Sequence, residues 1–88
     1  MASRTVEVPN RRGLHARASA KFVTLAANQT AAVEVEKDGS RVCGTSIMGL
    51  MMLAAGHGSV ISVNAEGADA DAALAAIADL IDRKFEED

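Results

Sequence analysis

With 88 residues, 49% hydrophobic and 24% charged, the chain is long enough for one core, too short for two and too apolar to stay disordered, so a single domain over residues 1–88 is expected. Its net charge of −3, its two phenylalanines and its lack of tryptophan and tyrosine exclude the basic, aromatic-rich surface on which nucleic acids usually bind. The charge is also lopsided: seven basic side chains stand against four acidic ones up to Arg41, and two against eight beyond it.

The alternation at residues 5–8 predicts a first strand that Pro9 ends, because proline cannot donate to a ladder. A loop over 10–14 leads into residues 16–27, where Ala18, Phe22 and the pair Leu25 and Ala26 recur at helical spacing. Residues 32–37 alternate again, Asp38 and Gly39 are a favoured dipeptide for a two-residue hairpin, and 40–43 return antiparallel. Ser46 precedes an apolar run of good helix formers that Gly56 and Gly58 end, which predicts a short second helix. Residues 60–65, β-branched at Val60, Ile61 and Val63, predict a fourth strand before Gly67. Asp69 and Asp71 suit the start of a third helix, Leu74, Ile77, Ala78, Ile81 and Phe85 form its stripe, and Arg83 and Lys84 suit its end. The order βαββαβα with half-polar strands predicts an α+β fold, a two-layer open-faced sandwich in which three helices cover one face of a four-stranded antiparallel sheet.

Cys43, the single cysteine, excludes an internal disulfide, fits a reducing compartment and reads as a small buried hydrophobe on the third strand. No apolar leader opens the sequence, and the longest uncharged run, 42–65, is broken by Gly44, Gly49, Gly56 and Gly58. No membrane-spanning segment and a cytoplasmic location are therefore expected. His57, between two glycines, has no Cys or His at metal-ligand spacing and reads as a turn residue, so no metal site is expected.

No acid interrupts the chain between Glu7 and Glu34, while Arg11, Arg12, Arg17 and Lys21 gather around His15, which favours an anion or an acidic protein surface there. His15 stands at the N-cap of the first helix, where Ser, Thr, Asp or Asn are usual, and offers no comparable short acceptor. That predicts unfilled backbone donors on Ala16 and Arg17, a cradle suited to a phosphoryl group. The same helix end disfavours the imidazolium form and leaves the ring ready to attack phosphorus. Arg17 can add a guanidinium to the transferred oxygens, and Gly13 lets a partner's backbone come close. On these residues alone, a plain surface histidine and a reactive one both fit.

The run Gly13-Leu14-His15-Ala16-Arg17, continued by Ala18-Ser19-Ala20-Lys21-Phe22-Val23, resembles the active-site segment of the HPr phosphocarrier proteins of the bacterial phosphotransferase system. Gly44-Thr45-Ser46-Ile47-Met48-Gly49-Leu50-Met51 resembles that family's regulatory-serine segment, at the family's spacing from His15, and the likeness spans essentially the whole chain. The resemblance implies that His15 takes a phosphoryl group on Nδ1 from the phosphohistidine of enzyme I and passes it to a histidine of an enzyme IIA domain. Arg17 and the amides of Ala16 and Arg17 would hold the phosphate. It further implies a carrier rather than an enzyme, needing no cofactor, with Ser46 as a target where an HPr kinase/phosphorylase exists. A plain N-cap role explains Ser46 equally well.

Two departures from the family are visible. Ala18 stands where the family usually has proline, a pre-organising and not a chemical loss, and Arg12 where many members carry a small polar residue. Together with Ser19 and Arg11 they lean toward the nitrogen-type branch. Outward-facing Ile47, Met48 and Met51, beside Ala16, Ala20 and Lys21, are expected to form a pliable docking patch on a monomer. Two other readings stay open here: a regulatory protein of the same fold acting through Ser46, and an unrelated small anion-binding α+β domain.

Overall fold

The computed structural model describes residues 2–86; residues 1, 87 and 88, the ends of the expected domain, lie outside the described residues. The elements are β1 (Ala2–Glu7), α1 (Ala16–Ala27), β2 (Ala32–Lys37), β3 (Ser40–Cys43), α2 (Ile47–Met52), β4 (Val60–Glu66) and α3 (Ala70–Asp82), followed by a 3-10 turn over Lys84–Glu86. The four strands make one antiparallel sheet in the order β1-β4-β2-β3. This is the α+β architecture that the order of elements predicts.

The register sorts the sheet into two faces. Val63 stands opposite Arg4 on β1 and Val35 on β2, and Val35 opposite Val42 on β3. That side lies against the helices, and Val33, Val35, Ile61 and Val63 share one buried cluster with Phe22, Leu50, Leu74, Ile77 and Ile81. One residue further along each strand, Ser3, Asn64, Glu34 and Cys43 form a row on the open face, followed by Thr5, Ser62, Glu36 and Arg41. The expectation of a buried Cys43 fails here. Val42 takes the inward position, so the thiol is exposed opposite Glu34.

Both hairpin residues have positive φ, 51° at Asp38 and 85° at Gly39, as a type I′ turn requires. β1 begins earlier than the alternation suggests, because an edge strand with Ser3, Arg4 and Thr5 exposed shows no apolar period. Past its end, the Val8 N–H donates to the Ser59 carbonyl and the Val8 carbonyl accepts from Gly58, both at 2.8 Å.

Asp69 occupies the cap of α3 in a left-handed conformation without bonding the helix amides; its carboxylate accepts from the Thr30 hydroxyl instead. α3 stops at Asp82, with Arg83 as its C-cap, so Phe85 does not continue the helical stripe as expected. Lys84, Phe85 and Glu86 all have φ between 55° and 63°, and this left-handed turn carries Phe85 back into the core, where it is fully buried. The Lys21 ammonium on α1 holds the turn by donating to the Phe85 carbonyl at 2.8 Å.

Candidate functional site

The loop between β1 and α1 is fixed from several sides. The Asn10 amide nitrogen donates to the Gly13 carbonyl at 2.8 Å, and the Gly13 N–H returns to the Asn10 carbonyl at 3.2 Å, so Arg11 and Arg12 sit exposed at the apex of a tight turn. Gly13 has φ +64°, and a Cβ there would collide with the Ala55 carbonyl oxygen just beyond α2. That same oxygen accepts from the Leu14 N–H at 2.8 Å. The buried Ser19 hydroxyl then donates to the Leu14 carbonyl at 3.1 Å. The closeness that Gly13 permits is thus to the chain's own backbone, not to a partner's.

His15 is the N-cap of α1, extended at φ −76° and ψ −179°, with its carbonyl accepting from Ser19 at 2.8 Å. The expectation of an unfilled Arg17 amide is corrected: His15 Nδ1 itself accepts from the Arg17 N–H at 3.2 Å. The imidazole is longer than a serine or aspartate side chain, yet this backbone conformation turns Nδ1 over the first turn. An accepting Nδ1 carries no proton, so the proton of the neutral ring sits on Nε2. Nδ1 is therefore the ring nitrogen that offers a lone pair, held beside the positive end of the helix. Ala16 and Arg17 are exposed, and no carboxylate pairs with Arg17 among the described residues. Ala18, in the position of the family's usual proline, is fully buried.

Ser46 is a genuine cap for α2: its Oγ accepts from the Gly49 N–H at 3.0 Å and its carbonyl from Leu50. The six-residue helix buries Leu50 and exposes Ile47, Met48 and Met51 as expected. Met52, which the sequence reading left out, is the most exposed of the large apolar side chains at 76%. Residues 47, 48, 51 and 52 span one side of a helical wheel, with Leu50 opposite. Since Ala55 clasps both Gly13 and Leu14, the end of this helix is tied to the His15 loop. Ala20 and Lys21 line a groove between α1 and α3, and Lys21 is engaged with the Phe85 carbonyl. Asn10 and Ser19, which hold His15 in place, were also missed; the Asn-x-x-Gly spacing around the paired arginines was their signal. Among the described residues, no three His, Cys, Asp or Glu side chains gather as metal ligands, and no helix is long and apolar enough to cross a membrane.

The model of the HPr component of the phosphotransferase system, with its phosphorylation site, matches residues 2–83. The phosphocarrier protein HPr of Neisseria meningitidis serogroup A is 49% identical over 87 residues, covering 99% of this chain and 98% of the relative. The phosphocarrier protein NPr of Shewanella violacea is 42% identical over 84 residues, covering 96% and 92%. A crystal structure of HPr-C-His from Thermoanaerobacter tengcongensis superposes with a TM-score of 0.95 at 43% identity, covering 100% of this chain and 99% of the other. A family match across nearly the whole chain, together with a structure that superposes along its full length, leads to one assignment: the chain belongs to the HPr family of phosphocarrier proteins.

Proposed function

We propose that His15 is the phosphoryl acceptor, taking the group on Nδ1 from enzyme I and yielding it to a histidine of an enzyme IIA domain. The observation that carries this reading is the 3.2 Å bond from the Arg17 N–H to His15 Nδ1. As a P–N bond forms at Nδ1 and the P–N bond to the donor histidine breaks, the lone pair leaves the Arg17 N–H. A phosphoryl oxygen takes its place as acceptor, so no backbone donor is stranded. The exposed Arg17 guanidinium adds a charge-assisted contact to the same oxygens. The Ala16 amide, at the first helical position, is a further donor without an intrahelical partner. The chain is then a reaction intermediate in a cytoplasmic relay and turns over no substrate of its own.

Ile47, Met48, Met51 and Met52 on α2 form the apolar part of the docking surface, with Arg11 and Arg12 as its basic rim. Phosphorylation of Ser46 by an HPr kinase/phosphorylase would add about two negative charges at that surface, where the amide end of α2 tolerates them and an acidic partner does not. Incubation with enzyme I and phosphoenolpyruvate should add one phosphoryl group, stable in alkali and labile in acid. His15→Ala should accept none; unchanged stoichiometry in that variant would refute the assignment.

A further inference from the structure

α1 and α3 do not close on each other along their outer sides. They leave a groove of about 420 Å3, within the roughly 300–1,000 Å3 of small-molecule sites. Its floor is apolar, from Ala20, Leu25 and Leu80, and its rim carries three cations, Arg17 and Lys21 from α1 and Arg83 from the end of α3. Arg17 and Lys21 are four residues apart, so they lie on one side of the helix about 6 Å apart along its axis.

The one acid of the lining, Glu86, already shows what the groove holds. Its Oε1 lies 3.5 Å from Lys21 Nζ and its Oε2 accepts from Arg83 Nη1 at 2.9 Å, so the chain's own carboxylate sits between two of the three cations. Asp79 takes the other edge of Arg83, at 3.0 Å from Nε. The Glu86 side chain is 56% exposed, and solvent-exposed pairs of this kind are weak, so an outside ligand with two carboxylates can displace it despite the advantage of its tether. Arg17, one turn back along α1, has no such occupant among the described residues.

We propose that this groove is a binding site for small dicarboxylates. One carboxylate displaces Glu86 between Lys21 and Arg83, the methylene chain lies along Ala20, and the second carboxylate engages Arg17 one helical turn away. The consequence for transfer rests on the role given to Arg17 above: a guanidinium held by the ligand is withdrawn from the phosphoryl group of His15, and transfer slows. Glu86 acts as a resident competitor that keeps the affinity low.

The test is a titration of isotope-labelled protein with glutarate, followed by amide and methyl shifts, with acetate at matched ionic strength as the single-headed control. Glutarate is expected to produce saturating shifts at Arg17, Ala20 and Lys21, and acetate none that saturate. Glu86→Gln, which removes the competitor, is expected to tighten glutarate binding about fivefold, and Arg83→Ala to weaken it with the fold intact by circular dichroism. Equal, non-saturating shifts for the two acids, or an unchanged dissociation constant in Glu86→Gln, would overturn the site. Saturating shifts with an unaltered rate of phosphorylation by enzyme I would overturn the coupling through Arg17 and nothing else.

Discussion

At Gly13 two demands coincide, a φ of +64° and a Cβ position already filled by the Ala55 carbonyl. Gly13→Ala should therefore cost about 3 kcal/mol from strain and forced separation, lowering the thermal midpoint by roughly 10–20 °C. Scanning calorimetry checks this, and a drop of only a degree or two would mean that the loop relaxes freely. Arg17→Ala should leave stability within about 0.5 kcal/mol, as expected of an exposed side chain, while slowing transfer in both directions. A loss of less than about twofold would be too small for a charge-assisted contact and would move the role to Arg12. The place of His15 before the first helix was legible in the sequence, but its capping bond was not. Cap preferences reward short acceptors, and only the extended backbone at His15 brings the longer ring over the Arg17 amide. Cys43 was misread for a related reason: Val42 and Cys43 are both apolar, and only the register with Glu34 decides which points inward. Cys43→Ser should accordingly change stability by no more than about 0.5 kcal/mol.

On α2, the cap and the exposed face lend themselves to separate measurement. Ser46→Ala removes the acceptor of the Gly49 N–H and should cost about 1 kcal/mol without impairing docking. Ser46→Asp puts a fixed negative charge at the edge of the docking surface, so phosphorylation by enzyme I should slow chiefly in association, and added salt should narrow the difference. Met48→Ala removes apolar contact only, and its defect should persist at high salt. Stopped-flow kinetics at two ionic strengths separates these cases; a Ser46→Asp protein as good as the parent at low salt would leave Ser46 as a cap alone. The elements themselves were legible where side-chain period and burial coincide, as in α1 and β2. The signal failed at both ends of the chain. β1 starts among exposed edge residues, and Phe85 reaches the core through three left-handed residues, which no helical or strand period encodes.

Taken as a whole, the molecule closes its core with side chains from its two ends, Val6 and Val8 at one and Phe85 at the other. Phe85→Ala should cost about 3–5 kcal/mol, a large part of the stability of so small a protein, and denaturant titration would show it. The strand order has a consequence in time. Among the described residues β1 pairs only with β4, so the strand made first of the four waits for the one made last. The Val8 and Leu14 amides wait as well, for Ser59 and Ala55. Closing so long a span is entropically costly and favours slower folding than local pairing would. A nascent chain halted before Ala55 thus contains His15 and Arg17 but lacks the carbonyl that fixes their loop. The loop that presents His15 is fixed only after the chain beyond α2 has been made, and amide exchange on such stalled chains should find α1 unprotected.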